Sequence, residues 1–290
     1  MTASGDFRGD VGDEDAVATS AGPAVSRRRR LDAELVRRDL AASRTQAQEL
    51  IASRQVLVGG AVAEKPARQV DPGDAIELRG TGPRFVSRGG EKLAAALERF
   101  SIDVSGLRVV DAGSSTGGFT DCVLQAGAAE VVAIDVGRNQ LHERLRADER
   151  VAVHEQTNIR DLEPATVGGP GDVLVGDLSF ISLRTVADAL LACTSAGGEL
   201  VLLVKPQFEA GKAEADRGRG VIRDAVVWRR TLLEVCVALE ERGAAIMGAM
   251  ASPITGGDGN VEFLVHARRG ATSDDLDALV DAALAEVTVS

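Results

Sequence analysis

Leu107-Arg-Val-Val-Asp111-Ala-Gly-Ser-Ser-Thr-Gly117-Gly-Phe-Thr-Asp121 is a short apolar strand running into a glycine-rich turn that opens a helix. Val109 and Val110 supply the β-branched run, and Gly113, Gly117 and Gly118 allow sharp bends and close approach of the backbone to a ligand. Cys122, Val123 and Leu124 continue the helix. A strand, loop and helix in this order aims unpaired backbone N–H groups at a nucleotide-like molecule.

The spacing narrows the ligand. Asp-x-Gly-x-x-x-Gly-Gly-Phe is not the Gly-x-Gly-x-x-Gly of a dinucleotide site, and no Gly-x-x-x-x-Gly-Lys follows a strand elsewhere. An acid ending the first strand, Asp111, and a second acid after Glu130-Val-Val-Ala-Ile, Asp135, suit S-adenosylmethionine. Asp111 would face its cationic methionine end and Asp135 its ribose hydroxyls.

Outward from this unit, strand and helix alternate. Residues 107–111, 130–135, 151–154, 172–177, 198–204 and 244–250 read as strands, predicting a doubly wound parallel sheet. A last strand from Val261 is expected at its edge, and Ser273 is expected to cap a closing amphipathic helix through Leu276, Leu279 and Val280. Gly80 to Gly90 reads as a linker before a helix carrying Leu93, Ala96, Leu97 and Phe100.

The amino-terminal part differs in character. Residues 26–88 hold 13 Arg or Lys against 8 Asp or Glu, in a chain whose net charge is −11. Such asymmetry predicts a separate module for a polyanion. Residues 1–25 lack periodicity and are expected to form a disordered tail. Arg27, Arg28, Arg29 and Arg30 lead into a helix with Leu31, Leu35, Val36 and Leu40, and Ser43 with Gln46 forms a capping box for a second, with Ala47, Leu50 and Ile51 inward. Gly59-Gly60 predicts a hairpin turn, and residues 70–78 another strand around Asp71-Pro-Gly-Asp74. Tyrosine is absent and aromatics make up 3% of the chain, so recognition of a polyanion there would rest on charge and shape rather than aromatic stacking.

Composition excludes other classes. No apolar run approaches a membrane span and the first residues lack a secretory signal, so a cytoplasmic protein is expected. Cys122, Cys193 and Cys236 are odd in number and far apart, suggesting neither disulfides nor a zinc site.

At strand ends four charged residues stand out: Asp177 after Val173-Leu-Val-Gly, Lys205 after Leu200-Val-Leu-Leu-Val, Glu262 within the last strand, and Lys92 at the start of the helix after the linker. A lysine closing an apolar strand needs its charge matched, which Asp177 and Glu262 could do.

Two resemblances arise from these residues. Arg30-Leu-Asp-Ala-Glu-Leu-Val, Ser43-Arg-Thr-Gln-Ala-Gln-Glu-Leu-Ile and Val56-Leu-Val-Gly-Gly-Ala-Val resemble the RNA-binding domain named after ribosomal protein S4. Arg88-Gly-Gly-Glu-Lys-Leu, the Asp111 loop, Gly176-Asp-Leu-Ser-Phe-Ile-Ser-Leu, Val204-Lys-Pro-Gln-Phe-Glu and Ser252-Pro-Ile-Thr-Gly-Gly-Asp-Gly-Asn-Val-Glu-Phe resemble the TlyA family, some of whose members carry the name haemolysin A. The resemblance spans residues 29–268. It implies a small α+β S4-like domain over 26–79 and a Rossmann-like class I methyltransferase domain of FtsJ type over 91–268; the amino-terminal tail and residues 269–290, read as a closing helix or tail, lie outside it. It also implies 2′-O-ribose methylation of ribosomal RNA, at cytidine, with S-adenosylmethionine as donor and ribosomal RNA or subunits as partner; no membrane or obligate protein partner is implied. The family's Lys-Asp-Lys-Glu tetrad falls on Lys92, Asp177, Lys205 and Glu262. Donor-binding positions would be Asp111, Gly113, Ser115, Gly117, Gly118, Phe119, Asp135 and Asn158, and RNA-binding ones Arg27 to Arg30, Arg44 and Arg88. Three rivals stand beside this reading. Asp177-Leu-Ser-Phe180 vaguely matches the Asp-Pro-Pro-aromatic motif of base N-methyltransferases, but without the prolines; a non-catalytic ribosome-assembly factor would not need the loop; and a membrane-lytic protein would need a span or basic amphipathic helix.

Overall fold

The computed structural model describes residues 28–38, 40–79, 83–211, 214, 218, 220–273 and 275–287; the expected tail and Arg27 lie outside them. The chain divides into two compact units, one within residues 1–80 and one within 81–290.

In the first unit β1 (Arg29–Arg30) leads into α1 (Leu31–Arg37) and α2 (Arg44–Ala52), followed by β2 (Val56–Val58), β3 (Ala61–Val62), β4 (Gln69–Val70) and β5 (Ile76–Leu78). Leu31 and Leu35 of α1 meet Ala47, Leu50 and Ile51 of α2 over Val56 and Val58, so the apolar spacing becomes one small core. Ser43 caps α2 by accepting the Gln46 N–H at 3.2 Å. The return bond from Gln46 reaches the N–H of Ala42, one residue earlier than in a capping box. Gly59 and Gly60 both have positive φ, as the β2–β3 hairpin turn requires. The expected strand over 70–78 is two: Asp74 turns back on Asp71, ending β4 before β5 begins.

The second unit contains α3 (Gly89–Phe100), β6 (Arg108–Ala112), α4 (Gly118–Gln125), β7 (Glu130–Ile134), α5 (Glu143–Arg146), β8 (Val151–His154), β9 (Gly171–Gly176), α6 (Leu183–Ala192), β10 (Thr194–Val204), α7 (Pro206–Glu209), α8 (Ala225–Glu240), β11 (Ala244–Ala251), β12 (Phe263–Arg269) and α9 (Leu276–Ala285). They form a seven-stranded sheet in the order β8-β7-β6-β9-β10-β12-β11. Strands β6 to β10 are parallel and β12 is antiparallel to both its neighbours.

The last strand is therefore interior, not at the edge. Phe263 and Val265 enter the core under α6 and α8, while Leu264 enters the core under α3 and α4. Helices cover the strand on both faces, as its apolar residues require. Ser273 also departs from expectation: its Oγ accepts the Ile246 N–H at 2.8 Å. Asp275 caps α9 instead, accepting the Ala278 N–H. Residues 83–88 of the expected linker are tied into this unit, with Phe85 buried against Leu93 and the Val86 N–H donated to Asp121. Helix α3 starts at Gly89. All three cysteines are buried and free.

The strand order reverses between β6 and β9, so the carboxyl ends of β6, β7, β9 and β10 share one rim where ligands of such sheets bind.

Candidate active site

At that rim Asp111 is fully buried, and one carboxylate oxygen accepts from the Thr120 hydroxyl at 2.6 Å. Among the described residues its other oxygen, Oδ1, has no hydrogen-bond partner. Burial pushes this carboxyl up to about 7. Two glycines make the loop possible. Gly113 (φ +86°) passes so close to the Asp177 carbonyl that a Cβ would lie 2.7 Å from its oxygen, and Gly118 packs on the Gly90 backbone where a Cβ would lie 2.9 Å from nitrogen. The Ser115 N–H donates to Asp135 Oδ2 at 2.8 Å, and the Gly137 N–H to Oδ1 at 2.6 Å, so Asp135 is held facing the loop.

A cavity of about 430 Å³ opens beside it, lined among others by Gly113, Ser115, Asp135, Asn158, Asp177 and Phe180. Asn158 also caps the short helical turn Ile159–Asp161 through its side chain. Asp111, Gly117, Gly118 and Phe119 do not line the cavity; Phe119 is a core residue, Asp111 lies within β6, and the two glycines shape the turn into α4. Sequence reasoning missed Val136, Gln140, Thr157 and the run 178–181, which line it because they follow strand ends. Phe180 is 91% exposed with a left-handed backbone, its ring 5.1 Å from that of Phe208.

The four charged candidates come together as two ion pairs. Lys92 Nζ lies 2.5 Å from Glu262 Oε2, both side chains buried. Lys205 Nζ lies 2.6 Å from Asp177 Oδ1 and donates to Ser179 Oγ at 2.8 Å. Backbone register makes the pairs neighbours: β10 and β12 pair Val204 with Phe263, so Lys205 and Glu262 are the next residues outward on adjacent strands. Glu262 thus precedes the last strand rather than sitting within it. Gly256 leaves its carboxylate room, since a Cβ there would fall 2.6 Å from Oε1.

In the first unit the basic candidates are organised by acids that sequence reading passed over. Asp32, fully buried, accepts from Arg30, Arg44 and Gln48. Glu34, also buried, accepts from Arg37 and Arg38. The hydrogen bonds from Arg30 and Arg37 hold both carboxyls well below the usual range. Arg28 bonds Asp71 and Arg29 is exposed. Arg88 belongs to the second unit, where it donates to the Thr255 carbonyl at 2.8 Å. No helix among the described residues is long and apolar enough to cross a membrane.

The family model of FtsJ-like methyltransferases matches residues 85–269, and that of the S4 domain residues 29–76. The chain is 47% identical over 267 residues to the 16S/23S rRNA (cytidine-2′-O)-methyltransferase TlyA of Mycobacterium tuberculosis, covering 90% of this chain and 99% of that one. The chain belongs to the TlyA family. Another TlyA-like relative, named hemolysin A, of Brachyspira hyodysenteriae, is 37% identical over 77% of this chain and 93% of its own. A solved structure described as a hemolysin from Streptococcus thermophilus superposes with a TM-score of 0.70 at 38% identity, covering 91% of this chain and 98% of that chain. The TlyA family accounts for the pairing of an S4 unit with a methyltransferase sheet in one chain.

Proposed function

We propose that this chain transfers a methyl group from S-adenosylmethionine to the 2′-hydroxyl of a cytidine in ribosomal RNA, with the S4 unit holding the RNA. The observation that carries the reading is the pair of ion pairs, Lys92–Glu262 and Lys205–Asp177, set side by side at the rim next to the cavity.

The residues fit the donor. The cavity has the size of a small-molecule site. Asp135 keeps free lone pairs on a carboxylate that its backbone bonds hold in place, suited to two ribose hydroxyls. Asp111 holds an unpartnered oxygen whose burial is offset once a cation is near. Bound there, S-adenosylmethionine supplies a methyl on a sulfonium that is already activated for transfer.

What remains for the protein is alignment and a proton. Lys205 Nζ, as an ammonium, can hold the 2′-oxygen by hydrogen bonding; as an amine, it can take the proton from that oxygen. Asp177 fixes the direction of this group, and Glu262 keeps the Lys92 charge beside it matched. The rival reading as a base N-methyltransferase gives Lys205 and Glu262 no role, whereas here Lys205 is ion-paired with Asp177 and Glu262 with Lys92.

Incubating ribosomal subunits with labelled donor and hydrolysing the product in alkali tests the reading. Ribose methylation leaves an alkali-resistant labelled dinucleotide with cytidine on its 5′ side. Label released as an ordinary mononucleotide would overturn it in favour of base methylation.

A further inference from the structure

Two turns carry the Lys205–Asp177 pair: residues 177–182 between β9 and α6, and residues 205–209, from the end of β10 through α7. They are laced together at three levels. At one end Lys205 holds Asp177 and Ser179. In the middle the ring of Phe180 rests on that of Phe208. At the far end Glu209, only 3% exposed, accepts the Leu183 N–H on Oε1 at 2.7 Å and the Ser182 hydroxyl on Oε2 at 2.5 Å. Arg184 closes this end by donating to the same carboxylate at 3.3 Å and to the Glu209 carbonyl at 2.7 Å.

Capping α6 does not by itself call for Glu209. Ser182 already caps that helix from within its own chain segment, accepting the Arg184 N–H. A buried carboxylate from another element adds a desolvation cost that must be met by good bonds. What it gains is a fixed separation between the two turns. The loop has something to hold against, because Phe180 adopts φ +62°, a conformation an aromatic residue keeps only where its surroundings impose it.

We infer that Glu209 is a positioning residue of the methyl-transfer site, which fixes the Asp177–Ser182 turn against the Lys205 turn and so aims Lys205 Nζ. The inference rests on the methyl-transfer reading above. The Glu209 carboxylate bonds Ser182, Leu183 and Arg184 rather than the side chains of Lys205 or Asp177; it acts through the backbone that carries them.

Three variants separate position from charge. Glu209→Ala removes both acceptors. Glu209→Asp keeps the charge and shortens the reach. Glu209→Gln keeps the length, an acceptor for the Leu183 N–H and a group able to donate to Ser182 Oγ. In single-turnover transfer with ribosomal subunits, Ala and Asp are expected to slow the chemical step about 10- to 100-fold, the scale of a misalignment near 1 Å. Gln is expected to stay within about fivefold of the wild type, and donor and RNA dissociation constants within about twofold for all three. If Ala does not fold, Asp takes its place. Ala or Asp at the wild-type rate, Gln as slow as Asp, or a loss of donor affinity parallel to the loss of rate would each overturn the inference. An alkali-labile wild-type product would sink the ribose reading, while the ratio of variant to wild-type rates would still judge Glu209. Should the wild type transfer no methyl, hydrogen exchange of residues 177–184 in the protein alone decides: Ala must speed it and Gln must not.

Discussion

Asp111 carries an unpartnered carboxylate oxygen into the interior, and that has a cost with a definite sign. Its folded pKa, about 7, lies above the value of about 4 expected in an unfolded chain. The folded state therefore binds the extra proton, and stability falls as pH rises from about 4 to 7 through this group. Asp111→Asn keeps the acceptor for Thr120 and never ionises. In urea unfolding of the ligand-free protein the variant should be more stable than the wild type at pH 8 by about 1–3 kcal/mol, with the gap closing toward pH 4.5. A gap that does not change with pH would show that Asp111 is ionised throughout. Lys205 gives the complementary test on chemistry. Lys205→Ala should fold and bind donor yet lose about 10²–10⁴-fold in methyl transfer. Lys205→Arg keeps the charge but cannot become neutral, so activity restored by Arg assigns the lysine to alignment and charge, and activity as poor as Ala assigns it to proton removal. Nearly full single-turnover activity of the Ala variant would remove Lys205 from the reaction.

At the scale of elements, β6, its loop and α4 were legible because a β-branched run, an acid and closely spaced glycines each have one local meaning. The position of β12 was not. Phe263 to Val265 reads as an apolar run, and such a run specifies burial on both faces without naming its neighbours; register with β10 and β11 is a tertiary fact. Ser273 was read as the α9 cap by residue type, but Asp275, two residues on, takes that duty, and Ser273 binds the β11 backbone instead. Asp275→Ala should lower stability by about 1 kcal/mol through loss of the cap, read as a shift in thermal midpoint. Glu209 and Phe180 lay within motifs quoted for their resemblance, yet their duties depend on a neighbouring turn that no local pattern reports. The tetrad was legible only as strand-end charges plus family likeness, and its grouping into two ion pairs was not.

For the whole molecule, net charge misleads, since the acidic total hides a basic stretch over residues 26–88. Buried Asp32 gathers Arg30 and Arg44 into one spot. Replacing both arginines by alanine should weaken binding to many RNA sequences alike and lower the log–log salt slope by about 0.7–0.9 for each phosphate that is no longer neutralised. An unchanged slope would mean that these arginines serve only to neutralise Asp32. The interior place of β12 has a further consequence for how the protein is made. Synthesis runs from the amino end, so β10 and β11 leave the ribosome before the strand that separates them exists. Glu262, 170 residues after its partner Lys92, arrives with that strand. A nascent chain halted before residue 262 carries the residues that line the cavity, the loop and three of the four charges, but neither the strand that pairs with β10 nor the carboxylate that pairs with Lys92; the last strand to be translated supplies both at once.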